Sequence, residues 1–121
     1  MLRDNGLDIL LELNGTEYTE ENGYWYKIEV WRVDVSPQIP HGIRYNLTLH
    51  NQYNKRILGF DNAHAIKPTK RGGYKGHIVE YDHMHESSID KGRPYNFVSA
   101  EKLLHDFLQR VNQHLNDLKK E

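Results

Sequence analysis

The chain has 121 residues, only 37% of them apolar, and a mean hydropathy of -0.83, which suits one domain spanning 1–121 with a polar surface and a thin core. It has no cysteine, which excludes disulfides, thiol catalysis and thiolate metal sites. A net charge of -1 hides an uneven distribution: residues 1–34 hold three basic and eight acidic side chains, 35–79 seven basic and one acidic, and 80–121 six basic and eight acidic. The basic middle third suits a polyanion such as RNA.

No apolar run approaches the roughly 18 residues of a membrane span, and no signal-like segment opens the chain, so a soluble cytoplasmic protein with no membrane partner is expected. Eight Tyr and two Trp supply large burying rings. A second copy, as a homodimer, or another partner would cover what a thin core leaves exposed.

Leu7 to Leu13 is short and apolar and stops at the turn pair Asn14-Gly15; a first edge strand is expected, although a helical turn also fits. Thr16 to Gly23 is polar and expected to be a loop. Tyr24 to Val35 is the strongest strand, with Tyr24, Tyr26, Ile28 and Val30 on a core face. Trp25 and Trp31 fall on the other face, where they would cover a second apolar surface or meet a partner. Pro37 and Pro40 end the strand.

Ile43 to His50 alternates again, with Tyr45, Leu47 and Leu49 inward. Asn51 to Asn54 forms a hairpin loop, and Lys55 to Asp61 returns as the next strand. The segment from Asn62 to Gly76 holds Pro68, Gly72-Gly73, Lys67, Lys70, Arg71 and Lys75. It is a basic, Gly-containing loop without the order of a Walker motif. A strand over His77 to His83 delivers His83 and His85. After the loop from Glu86 to Asn96, Ser99 caps a helix whose apolar stripe is Ala100, Leu103, Leu104, Phe107, Leu108, Val111, Leu115 and Leu118. The expected fold is α+β: an antiparallel meander of about five strands packed against one long C-terminal helix.

The densest chemistry is Asp82-His83-Met84-His85, read together with Asp61-Asn62 and His64. On a strand, His83 and His85 share a face. Two imidazoles divide acid and base roles at neutral pH. RNA cleavage without metal needs such a pair and a cation on the phosphoryl oxygens. His83 and His85 are the candidate base and acid, with His64 as a substitute for either. Asp82 or Asp61 would orient an imidazole. Lys70, Arg71, Lys75 and Arg93 are candidate phosphate contacts, Asn62 a further substrate contact, and Tyr95 or Tyr81 a base-stacking ring. The same histidines and carboxylates offer ligands for a divalent ion, although no standard zinc spacing is present. Metal-independent chemistry with no cofactor is the expectation. Asp61-Asn62 also fits a turn whose side chains bond nearby backbone. Asp106 is expected to be a structural hydrogen-bonding partner or a solvated charge.

The ordered set Trp31-Arg32-Val33, Tyr45-Asn46-Leu47, Phe60-Asp61-Asn62, Asp82-His83-Met84-His85, Arg93-Pro94-Tyr95-Asn96-Phe97 and Leu103-Leu104-His105-Asp106-Phe107 resembles the TumE family of type II toxin–antitoxin pairs. The family carries "YDN", "DHxH", "PYxF" and "LLxDF" segments in this order. Here Phe60 stands in place of the Tyr, and the segment from Ala63 to Glu80 is longer than in compact members. The resemblance implies a toxin directed at RNA and neutralised by a cognate antitoxin. Nuclease chemistry is read from the histidines alone. The competing classes are a non-catalytic RNA- or ribosome-binding protein and a protein-interaction module.

Overall fold

A computed structural model describes residues 6–20, 22–37, 39–62, 82–87 and 92–119. Its elements are α1 (Leu7–Glu12), β1 (Thr16–Thr19), β2 (Trp25–Arg32), β3 (Ile43–His50), β4 (Arg56–Asp61), β5 (His83–His85), β6 (Arg93–Pro94) and α2 (Ala100–Lys119). The strands form a six-stranded sheet in sequence order, and every neighbouring pair is antiparallel. This is the expected α+β meander with its C-terminal helix.

Two expectations at the N-terminus are corrected. The stretch expected to be an edge strand forms a helix over Leu7–Glu12, with Leu13 as its C-cap. Leu7, Leu10 and Leu11 recur at helical spacing, and all three pack on the core, with Leu10 fully buried. The contact between helices is close: a Cβ at Gly6 would lie 2.5 Å from the Glu101 Cα. The edge strand is instead Thr16–Thr19, expected to be loop, which pairs with Trp25 to Ile28. Asn14 and Gly15 direct this reversal. The Asn14 Oδ1 accepts from the Val30 N–H at 2.9 Å, and the Gly15 N–H donates to the Ile28 carbonyl at 2.7 Å with φ +89°, a region glycine enters without strain.

The core lies between one sheet face and the helices. Ile28, Val30, Tyr45, Leu47, Leu49, Leu58 and Phe60 meet Leu10 of α1 and Leu103, Phe107 and Val111 of α2. Phe107 is the centre of this layer. It makes edge-to-face contacts with Tyr26 at 5.8 Å and Phe60 at 6.0 Å, and burying a ring of this size contributes roughly 2–3 kcal/mol. Ser99 caps α2 as expected, its Oγ accepting from the Lys102 N–H at 3.0 Å. The next exposed-face pair, Lys102 and Asp106, closes an i,i+4 ion pair at 2.8 Å.

The β3–β4 hairpin also follows its sequence. Asn51 Oδ1 accepts from the Tyr53 and Lys55 N–H groups, and Asn54 takes φ +64°. A bulge between Leu49 and His50 then sets Arg56 opposite His50. On the second sheet face, Trp25 stacks on His50 at 4.1 Å while its Nε1–H donates to Asn54 Oδ1, so this ring serves a cross-strand contact. Trp31 stays 46% exposed. Among the described residues, no helix is long and apolar enough to cross a membrane.

Candidate functional site

The sheet register lines up residues that are far apart in sequence. Paired positions of antiparallel strands share a face. One row on the face away from the helices is therefore Glu29, Asn46, Asp61 and His83; the next is Lys27, Thr48, Gly59 and His85. Phe60 and Met84, between these rows, point to the core. Strand alternation thus brings His83 and His85 to one side, with rings 6.1 Å apart. The Asp61 carboxylate sits between them, 3.0 Å from His85 Nε2 and 4.0 Å from His83 Nδ1. All three side chains are more than four-fifths buried, at 16%, 15% and 12% exposure for Asp61, His83 and His85. At 3.0 Å the carboxylate accepts from Nε2–H, which places the proton of the neutral His85 ring on that nitrogen.

Two glycines shape the cluster. Gly92, at φ +95°, lies against the His85 ring: a Cβ there would fall 2.5 Å from Cε1 and within 3.0 Å of both ring nitrogens. Gly59, the cross-strand partner of His85, leaves room for the Arg56 side chain, whose Nη1 lies 3.3 Å from where a Cβ would stand. Arg56 Nη2–H also donates to the Ser87 carbonyl at 2.9 Å.

Asp82 does not join the pair. Alternation turns it to the opposite side of the strand, where Tyr45 O–H donates to its Oδ2 at 2.5 Å and His41 Nε2 lies 3.1 Å away. The His41 ring packs at a tilt of 33° against Phe97, with centroids 4.0 Å apart. Burial, and next the charge and hydrogen bond of Asp82, push the Tyr45 phenol far above its usual value near 10. This second cluster fastens the loop before β3 to the start of β5.

Three more expected site residues have other partners. Asn62 is 2% exposed; its Oδ1 accepts from the Tyr45 N–H at 2.9 Å and its Nδ2 donates to the Ile43 carbonyl at 2.8 Å. Both polar atoms of its side chain bond backbone and continue the ladder beside β3, which is the backbone-bonding alternative. Tyr95 packs on Phe60 at 5.1 Å and donates to Asp106 Oδ2 at 2.7 Å, placing it in the helix layer and not over the histidines. Burial, then the hydrogen bond and charge of Asp106, raise its pKa. Asp106 is thus the structural partner expected. Arg93 pairs with Met84, whose side faces the core layer, and its guanidinium meets Glu86, which also binds Arg110 of α2. His64, Lys70, Arg71, Lys75 and Tyr81 lie outside the described residues.

Sequence reasoning missed His41, Tyr45 as a polar group, and Arg56. A tyrosine on a core face carries a hydroxyl that demands a partner, which was a usable signal for Tyr45. A glycine inside a strand marks close approach by another group, and Gly59 three residues after Arg56 was such a mark. Nothing local ties His41 to Asp82.

Among the described residues, no group of three or more His, Asp or Glu side chains is arranged to hold a metal ion. A groove of about 560 Å³ lies elsewhere, between the β1 edge and the end of α2, lined by Tyr18, Tyr24, Leu115 and Leu118 among others. It contains none of the expected site residues. Among the described residues, two imidazoles and a carboxylate converge at Asp61, His83 and His85 and not in the groove.

Comparison with known proteins gives a match to a family model. The model of the family described as Toxin TumE covers residues 8–115. No curated protein and no solved structure matches the chain.

Proposed function

Because this chain belongs to the Toxin TumE family, matched over nearly its whole length, we propose that it is a toxin acting on RNA as a metal-independent ribonuclease, with His83 and His85 as the acid–base pair. The observation that carries this reading is the grouping of both imidazoles around Asp61 on the sheet face opposite α1 and α2. One imidazole takes the proton of a ribose 2′-hydroxyl, and the 2′-oxygen attacks the adjacent phosphorus. The bond from phosphorus to the 5′-oxygen breaks, and the second imidazole protonates that oxygen. The products are a 2′,3′-cyclic phosphate and a 5′-hydroxyl. Asp61 fixes the His85 tautomer and stabilises the imidazolium as it forms. A cognate antitoxin, implied by the toxin family, is the protein partner that restrains it.

The test is the variant pair His83→Ala and His85→Ala. Each is expected to fold and to bind RNA at low salt while losing cleavage and growth inhibition by a factor of roughly 100 or more, the usual contribution of a positioned acid or base. Full toxicity in the double variant refutes the catalytic reading and favours a non-catalytic binder. Such a binder would depend on basic side chains, and its affinity would fall steeply with salt.

A further inference from the structure

Arg56 is placed by three independent features. The bulge at Leu49 and His50 turns it toward the second sheet face. Gly59 opens the path its side chain takes: the guanidinium carbon lies 3.7 Å from the point where a Cβ at Gly59 would stand, and Nη1 lies 3.3 Å from it. Gly59 is the direct cross-strand partner of His85, so the guanidinium covers the sheet position beside the His85 imidazole. The Ser87 carbonyl, two residues beyond His85, then holds Nη2 at 2.9 Å.

Several cations are paired with described carboxylates, whereas Arg44, Lys55, Arg56 and Lys119 are not. Arg93 and Arg110 share Glu86, Arg32 faces Asp8, and Lys27 faces Glu29. Among the described residues, no carboxylate pairs with Arg56. A half-buried guanidinium carries five N–H donors in a planar fork, and one carbonyl satisfies only one of them. The remaining edge suits two oxygens of a single anion, the bidentate geometry in which Arg recognises phosphate and Lys does not.

We infer that Arg56 is an anion-binding residue that takes the non-bridging oxygens of a phosphodiester next to His85, with Gly59 required to let it reach. The inference rests on the proposed RNA-directed reading for the identity of its ligand. It supplies the cation that phosphoryl transfer needs and that Arg93, on the other side of the sheet, does not provide.

The test is an NMR titration of the folded protein with inorganic phosphate and, separately, with a non-cleavable 2′-deoxy dinucleotide, following the Arg56 Nε–H and the His85 ring. Both probes are expected to shift these signals saturably. Arg56→Gln is expected to weaken both by about tenfold or more, the loss typical of a charged bidentate contact, whereas Lys55→Gln on the neighbouring exposed loop leaves them unchanged. Arg56→Lys keeps the charge and the fold but loses the fork, so it binds more weakly than wild type; its recovery of wild-type affinity would overturn the bidentate assignment. If neither probe moves the Arg56 or His85 signals of wild type, or if Arg56→Gln binds as wild type does, the inference fails. Cleavage that is lost in the histidine variants and indifferent to Arg56 would refute this inference alone. Phosphate binding that depends on Arg56 in a protein that never cleaves RNA would refute the nuclease reading alone.

Discussion

Replacing Asn62 with Ala is expected to cost stability and not to remove a substrate contact. The substitution deletes the acceptor of the Tyr45 N–H and the donor to the Ile43 carbonyl. Both residues are at most 1% exposed, so water cannot step in without opening the sheet. A buried backbone group left without a partner costs about 1–3 kcal/mol, so the pair costs about 2–6 kcal/mol. Against a total stability of about 6–18 kcal/mol for a chain of this length, that is a large fraction, corresponding to a melting temperature lower by roughly 8–24 °C. Asn62→Asp separates the two bonds: it keeps an acceptor for Tyr45 but turns a second acceptor toward the Ile43 carbonyl, and it is expected to be destabilised as well. Urea unfolding followed by tryptophan fluorescence and circular dichroism measures both variants. An Asn62→Ala protein within about 0.5 kcal/mol of wild type, which nonetheless loses RNA binding, would refute the reasoning and return Asn62 to the substrate site.

High pH is expected to destabilise the protein progressively above about pH 10 through the buried Tyr45 phenol and the half-buried Tyr95 phenol. Tyr45 and Tyr95 have pKa values raised in the fold by burial first and then by Asp82 and Asp106 respectively. Their stabilising contribution is complete below the unfolded value near 10 and is lost as pH rises above it, because the unfolded chain ionises where the folded one does not. Tyr45 alone gives a slope of up to about 1.4 kcal/mol per pH unit. Urea midpoints measured between pH 9 and 11.5 check this, and Tyr45→Phe should flatten the decline; an unchanged slope in that variant would contradict it. Gly92→Ala is expected to displace the His85 ring, since the added Cβ overlaps it, and to lower any His85-dependent activity by roughly 10-fold or more while the core signals persist. An unshifted His85 resonance in that variant would count against the close packing.

Much of the fold is legible in local pattern. The alternation in Tyr24 to Val30 and Ile43 to Leu49, and the stripe from Ala100 through Val111, identify the buried face of each element. Ser99 marks the start of the helix. The same alternation places His83 and His85 together and, read strictly, already excludes Asp82 from their company. Leu7 to Leu13 was ambiguous because seven apolar-rich residues fit either period; contact with the second helix decides for α1.

What a single sequence settles here is parity and identity: which side chains share a face, and that two imidazoles and several carboxylates exist to be used. Pairing was decided only in three dimensions. Asp61 reaches His85 because β4 and β5 align at one particular register, and His41 reaches Asp82 across 41 positions of chain. Arg56 crosses Gly59 because a bulge turns it. The physical reason is that side-chain direction follows from backbone dihedrals one residue at a time, whereas register is fixed by the hydrogen-bond ladder and the core packing of strands distant in sequence.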